Sequence, residues 1–458
     1  MTSAHRFAPF AEKMAAEGLP EVVIRSFAHS YALLVSGATG LIPETDIRPV
    51  AGLPDAEALP EEFERKGRDA LPRTVLLKLN GGLGTGMGLD RAKSLLRVKQ
   101  GLSFLDIIAR QALAAGIPLL LMNSFSTRDD SLAALQAYPG LQGSIPLDFL
   151  QHKVPKIRQD NYAPAEHPDH PELEWNPPGH GDLYTALVTG GLLDKLLDEG
   201  YRYAFVSNAD NLGAVVDTSI LGYLAGLQLP FLMEVADRTE ADRKGGHLAR
   251  SLDGQLLLRE SAQCPAEDAA HFQDVSRHRY FNTNSLWLDL QRLKLVLEEQ
   301  QGVLGLPPIY NRKTVDPRDP RSTPVIQIET AMGSAISVIR DAAAIRVPRS
   351  RFAPVKTTDD LLAVRSDAYL LTDDYCVVPH PQRLQGPPLV RLDERYFKMI
   401  EDFEARFPEG APSLLNCSRF SVRGDVRFGG NVVCRGAVDL ENDSEQQMVI
   451  DDFARLGE

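Results

Sequence analysis

Cysteine is scarce in this 458-residue chain: Cys264, Cys376, Cys417 and Cys434 are scattered, with neither a CxxC pair nor zinc-like spacing. That excludes a disulfide framework and a structural metal knuckle, and it fits free thiols in a reducing compartment. No run approaches the roughly 18 apolar residues of a membrane span, and the opening MTSAHRFAPFAEKM holds no apolar signal core, so a cytoplasmic location is expected. Positive charge is also short. With 49 Lys and Arg against 62 Asp and Glu, the net charge of −13 argues against a general nucleic-acid binder. Any phosphate pocket must therefore be locally basic.

What is present is an ordinary globular composition, 43% hydrophobic and 24% charged, in a chain long enough for two or three domains. Residues 1–70 mix helical patches (FAPFAEKMAAEG and PEVVIRSFAHSYALLVSG) with a proline-interrupted crossover at Pro43, Pro49, Pro54 and Pro60. Residues 71–375 alternate strands and helices, the pattern of a doubly wound, mostly parallel α/β domain. LSFLDIIARQALAAG reads as a helix between two strands, and DLYTALVTGGLLDKLLDEG as a second helix before the strand YRYAFVSNADN. Asp253-Gly254 between apolar stretches signals a hairpin, and TPVIQIETAMGSAISVIR a strand or loop entering a helix.

Residues 376–458 open on a proline-rich linker and a short helix, ERYFKMIEDFEARF. Gly424, Gly430 and Gly436 then recur every six residues, each followed two positions on by Val426, Val432 or Val438. Such a repeat suggests about one coil of a left-handed β-helix, with ordinary hairpins as the alternative. The repeat stops near Leu440, and the remaining polar, acidic tail ENDSEQQMVIDDFARLGE reads as helical.

The chemistry is concentrated first in VLLKLNGGLGTGMGLDRAKS, residues 75–94, where a β-rich run ends in five closely spaced glycines and Lys93 follows. Without Cβ atoms the backbone can bring its N–H groups against phosphate oxygens. It is not a P-loop, because Ala92 and Met87 stand where glycines are required before Lys93-Ser94. Nor is it a dinucleotide fingerprint, since each possible frame puts Met87, Leu89 or Arg91 at the last glycine.

This loop, together with MNSF, QHKVP, PPGHGDLYTAL, FVSNADNLGAVVD, KGG, FNTNSLW, QIETAMG and VPRSRFAPVKTTDDLL in that order, resembles the eukaryotic-type UTP:glucose-1-phosphate uridylyltransferases, or UDP-glucose pyrophosphorylases. The resemblance implies a Rossmann-like nucleotidyltransferase domain of the GT-A type ending in a β-helix. It also implies Mg²⁺-dependent, in-line attack of a sugar phosphate on the α-phosphorus of UTP. It implies UTP contacts from Leu79, Asn80, Gly81, Gly82, Gly84, Thr85, Lys93, Gln151, Gly179 and Asp210. Asp210 would hold the metal, with Lys93 and Lys356 as the catalytic cations. Sugar phosphate contacts would come from His180, Asn208, Lys244, Gly245, Gly246, Asn282, Asn284, Glu329 and Lys356.

These assignments suit the residue types. A glutamine amide offers both a donor and an acceptor to uracil, and lysines can neutralise charge developing on pyrophosphate. His180 is read as a binding group, because an attacking phosphate oxygen carries no proton to remove. Asn211 either joins the site or caps the following turn, and Glu329 either meets sugar or favours a helix N-terminus. Lys156, Gly86 and Arg91-Ala92 depart from the common pattern, and Arg349 and Arg351 are left outside the site. Action on another hexose 1-phosphate, or a non-catalytic nucleotide-sugar sensor, are the alternatives. The early end of the repeat suggests a monomer or homodimer.

Overall fold

Thr74–Asn80, reading TVLLKLN, is buried over nearly its whole length and lies in the middle of a mixed ten-stranded sheet. The computed structural model describes residues 3–457. In chain order the strands that build and flank the sheet are β1 (Ile47–Pro49), β2 (Thr74–Asn80), β3 (Leu119–Asn123), β4 (Asp148–Leu150), β5 (Tyr203–Asn208) and β6 (Phe231–Asp237). They continue with β7 (His247–Ser251), β8 (Leu256–Arg259), β9 (Tyr280–Asp289), the separate hairpin β10 (Pro308–Thr314) and β11 (Pro324–Thr330), and β12 (Ala343–Arg346).

The spatial order runs β1-β7-β9-β5-β2-β3-β4, with β6 and β12 continuing beside β9 and β8 pairing with β7. Strands β5, β2, β3 and β4 are parallel, and their registers align Asn208 with Leu79, Asn80 with Asn123, and Asn123 with Leu150. Their carboxyl ends therefore form one straight edge. Strand β9 is antiparallel to both β5 and β6, so its amino-terminal half reaches the same edge. Successive strands lie about 4.8 Å apart, so this row of chain ends is a shelf on the order of 20 Å long.

Side-chain alternation along β2 explains the layers. Val75 and Leu77 face a core completed by helices α5 (Leu183–Thr189), α6 (Leu192–Asp198) and α8 (Leu290–Glu299). Leu76 faces the opposite core, completed by α4 (Phe104–Ala115) and α7 (Thr218–Leu227). Helix α3 (Glu61–Ala70) rides directly on α7: an added Cβ on Gly67 would sit 1.7 Å from the Thr218 carbonyl. Helices α1 (Ser3–Ala16) and α2 (Glu21–Val35) pack through Phe10, Phe27 and Tyr31 onto Ile326 and Ile328 of β11.

Beyond helix α9 (Thr358–Arg365) the chain forms parallel strands β13 (Leu389–Leu392), β14 (Ser413–Arg423), β15 (Val426–Phe428), β16 (Val433–Glu441), β17 (Met448–Ile450) and β18 (Arg455–Leu456). Phe420 pairs with Val438 and Val422 with Leu440, each eighteen positions later, which is one coil of three hexads. Val426, Val432 and Val438 are buried inside it. Met87, from the glycine-rich loop, is packed into the same core as Phe397, Leu361 and Leu392.

Four local expectations are corrected. DLYTALVTGGLLDKLLDEG is two helices, broken where Gly191 adopts a φ of 63°. The segment after β11 is a 3₁₀ turn, Met332–Ser337, not an α-helix. ERYFKMIEDFEARF divides into Glu394–Phe397 and Ile400–Arg406 around Met399. The acidic tail is not helical either, since β17 pairs with β15 and β18 with β16 and the coil continues. Met448, Ile450 and Leu456 pack on the C-terminal core, and that tertiary burial overrides local propensity.

Candidate active site

The loop after β2 is shaped by two left-handed glycines, Gly84 at φ 71° and Gly88 at φ 76°, which bracket the 3₁₀ turn Thr85–Met87. The turn closes on itself through Met87 N–H and Gly88 N–H, and Lys93 N–H donates to the Gly82 carbonyl. The N–H groups of Gly81, Gly82, Leu83, Gly84, Thr85 and Gly86 find no acceptor among the described residues. A row of unpaired amides at the carboxyl edge of a sheet is an anion cradle. The Asn80 side chain takes no part in that row: it is buried and donates to Asn123 Oδ1 at 2.7 Å and Ser131 Oγ at 2.8 Å. Leu79 contributes its carbonyl to Ala209 N–H.

Gln151 follows β4 and lies over Gly81, where an added Cβ would be 3.0 Å from Oε1. Gly179 holds φ 80° and ψ 172°, a combination open to glycine alone, and a Cβ there would stand 2.5 Å from the Thr330 carbonyl. His180 Nδ1 accepts from Met332 N–H at 2.9 Å. An N–H can only donate, so Nδ1 is unprotonated and Nε2 carries the hydrogen. Burial pushes the imidazole down to about 4, so it presents a neutral Nε2–H donor.

Asp210 sits two residues past β5. Its Oδ2 accepts from Lys93 Nζ at 2.7 Å, the side chains being 21% and 15% exposed, while Oδ1 is buried with no partner among the described residues. Its backbone carbonyl accepts from Val355 N–H at 3.1 Å, which brings Lys356 beside it. Asn211 proves to be a tie: it bonds Arg351, Gly213 and Ala353 and is fully engaged in fixing the same loop. Asn208 ends β5 on the open shelf. Lys356 itself is exposed, and its backbone is capped by Asp360.

Asn282 and Asn284 mark a bulge in β9, where the pairing with β6 skips between Glu234 and Val235. Asn284 takes a φ of 55°, and the two amides bond each other at 2.8 Å. Gly246 lies alongside, its carbonyl accepting from Asn282 N–H, while Gly245 is half-buried and Lys244 exposed. Glu329, on β11, turns toward Asn311 and Lys313 of its hairpin partner and flanks Gly179, with burial raising its carboxyl.

Sequence reasoning missed Glu260. Its carboxylate presses on Gly246, where a Cβ would be 2.4 Å from Oε2. Burial raises its pKa, and the Lys356 charge pulls it down. The signal was the residue following β8, opposite the KGG turn in the hairpin register that pairs His247 with Arg259. Beneath the shelf, Arg351 makes a buried bidentate bond to Glu234, and Lys78 donates to Ser207 and Ala214. Lys156 is buried, donating to Val315 carbonyl, and belongs to packing.

One edge thus carries an amide cradle, a lysine–carboxylate pair, a second lysine, a neutral imidazole donor and a cluster of amides. The family model of UTP–glucose-1-phosphate uridylyltransferase matches residues 25–435. The chain belongs to this family. It is 41% identical over 392 residues to the UTP–glucose-1-phosphate uridylyltransferase of Solanum tuberosum, covering 84% of this chain and 80% of that one. It is 40% identical over 379 residues to a probable uridylyltransferase of Schizosaccharomyces pombe, covering 81% and 73%. A mutant UDP-glucose pyrophosphorylase from Leishmania major, solved in complex with UDP-glucose, superposes with a TM-score of 0.92 at 45% identity, covering 98% of each chain. A UDP-glucose phosphorylase of Trypanosoma brucei gives 0.89 at 47% identity, covering 99% and 98%.

Proposed function

We infer that the protein transfers the uridylyl group of UTP to glucose 1-phosphate, forming UDP-glucose and pyrophosphate, in a reversible reaction at the carboxyl edge of the sheet. The observation that carries this reading is the meeting of Lys93, Asp210 and the Lys356 loop within one hydrogen-bonded unit.

The free amides of Gly81 to Gly86 receive the β- and γ-phosphates, with Gln151 reading uracil edgewise and Gly179 closing on its other side. Lys93 neutralises charge on the departing pyrophosphate, and Lys356 gathers the α-phosphate and the attacking phosphate oxygen. No proton leaves the nucleophile, so no base is required, and the neutral His180 Nε2–H serves as a donor to the sugar phosphate. Asn208, Asn282, Asn284, Glu260 and the backbone of Gly245 and Gly246 offer the dense donors and acceptors that hexose hydroxyls need. Glu329, beside Gly179, adds a carboxylate acceptor for the sugar.

Asp210 is a fitting ligand for Mg²⁺, because its Oδ1 is buried with no partner among the described residues and hard cations favour carboxylate oxygens. Asp210 would hold such an ion, which would supply charge neutralisation to the phosphates. Residues 71–375 form the catalytic unit in this reading, and the chain works as a monomer or homodimer in the cytoplasm. Among the described residues no helix is long and apolar enough to cross a membrane.

Pyrophosphate release with UTP and Mg²⁺, compared for glucose, galactose and N-acetylglucosamine 1-phosphates, tests the reading. Selective turnover of glucose 1-phosphate supports it. UTP binding without turnover of any sugar phosphate would leave a nucleotide-sugar sensor instead.

A further inference from the structure

Arg238, one residue past β6, is buried at 7% exposure and makes no ion pair among the described residues. Its guanidinium instead collects four backbone carbonyls. Nη1 donates to Phe272 at 2.9 Å and His278 at 3.3 Å, and Nη2 to Asp242 at 3.1 Å and Arg243 at 2.9 Å. Its Nε has no partner there, and burial draws its pKa below the usual arginine value. A buried cation held by carbonyls and by the Phe272 ring, 5.5 Å away, with no ion pair among the described residues is an expensive packing element, since an apolar side chain of similar volume avoids the desolvation cost.

The two pairs of carbonyls belong to the two loops that frame the sugar end of the site. Asp242 and Arg243 immediately precede Lys244-Gly245-Gly246, and the Asp242 carbonyl also receives Gly245 N–H at 2.8 Å. Phe272 and His278 lead into β9, which carries Asn282 and Asn284. The same turn is gripped from its other side, where Arg349 makes a bidentate bond to the Asp242 carboxylate at 2.7 and 3.0 Å. Only a planar fork with donors on both arms can hold two loops at a fixed separation, and a lysine cannot reproduce it.

We propose that Arg238 is a positioning residue that sets hexose selectivity, by fixing the Lys244–Gly246 turn against Asn282, Asn284 and Glu260. This rests on the sugar placement inferred above. Epimers of a hexose differ in one hydroxyl, so discrimination depends on donors and acceptors held to within a fraction of an ångström.

The test is steady-state kinetics of Arg238→Met and Arg238→Lys with UTP and either glucose or galactose 1-phosphate, with Asn284→Ala and Arg349→Met alongside. In Arg238→Met, KM for glucose 1-phosphate should rise about tenfold or more and the glucose-to-galactose ratio of kcat/KM should fall by a similar factor. KM for UTP should stay within about twofold, because Gln151 and the glycine loop lie at the other end of the shelf. Arg238→Lys should fall between, and Arg349→Met should raise the sugar KM alone. A purely structural role predicts instead lower active fraction with both KM values and the selectivity unchanged, and that result overturns the proposal. If Arg238→Met does not fold, wild-type sugar KM and selectivity in both Arg238→Lys and Arg349→Met overturn it equally. An Asn284→Ala variant with unaltered sugar KM overturns the sugar placement and the proposal with it. A raised sugar KM in Asn284→Ala with none in the folded Arg238 variants overturns the proposal alone.

Discussion

Lys93 Nζ and Asp210 Oδ2 lie 2.7 Å apart, so the cation proposed to meet pyrophosphate and the carboxylate proposed to hold a metal neutralise each other. In the proposed reaction, substrate binding exchanges this pair for phosphate contacts. The pair is partly exposed, which puts its strength at about 1 kcal/mol, or roughly fivefold in affinity.

The sign of the Asp210→Asn effect should therefore depend on the metal. In chelator, UTP should bind Asp210→Asn roughly fivefold more tightly than wild type, because Lys93 is released and a like charge is gone. With Mg²⁺ the order should reverse and turnover should collapse. Isothermal titration in both buffers distinguishes this from a carboxylate that only shapes the loop, for which the two buffers agree.

Gly179→Ala and Gly82→Ala should fail in different ways. The first forces a Cβ to 2.5 Å from the Thr330 carbonyl at a φ of 80°, whereas the second meets nothing within 4 Å. Gly179→Ala should lower the melting temperature by several degrees, a cost of order 1–3 kcal/mol, and weaken UTP. Gly82→Ala should keep the wild-type melting temperature and weaken UTP alone.

His180 titrates at about 4, below the roughly 6.5 of an unfolded histidine. Between those values the unfolded chain binds the extra proton, so the fold loses stability as pH falls from about 6.5 toward 4. Above that window the ring stays neutral. His180→Gln should show a shallower loss of melting temperature between pH 6.5 and 4.5 than wild type; equal slopes contradict the depressed pKa of His180.

Asp359 behaves oppositely. Burial and the neighbouring Asp360 and Glu394 raise it to about 6, although Leu392 N–H donates to it at 3.1 Å. The folded chain then holds the proton more tightly, and the fold is disfavoured as pH rises through about 6. Asp359→Asn keeps an acceptor for Leu392 and should raise the melting temperature at pH 8, with the gain vanishing near pH 4. A loss at pH 8 contradicts this.

Much of the site was legible because it is built from local signals. Glycines at Gly84 and Gly179 occupy dihedrals that other residues resist, and Asp210 lies two residues past a strand whose apolar run is plain. What escaped depends on contacts distant in sequence. Glu260 earns its place only through the hairpin that sets it against Gly246, and Arg349 through Asp242, over a hundred positions away. The tail after Leu440 looked helical because its charges are dense, but its few apolar residues repeat in step with the coil before them. Gly190-Gly191 gives little local sign of a break because the flanking leucines keep helical spacing, yet Gly191 turns left-handed and restarts the helix.

The measurement that tests the account most directly is a rapid-quench single turnover of UTP and glucose 1-phosphate with Lys356→Ala, beside UTP affinity by titration. Val355 ties the Lys356 loop to Asp210, and the lysine side chain itself is exposed, so the variant should fold and melt as wild type. The account predicts UTP affinity within about threefold of wild type and a chemical step slowed by about a hundredfold or more. A chemical step at the wild-type rate would contradict the placement of Lys356 at the reacting phosphates.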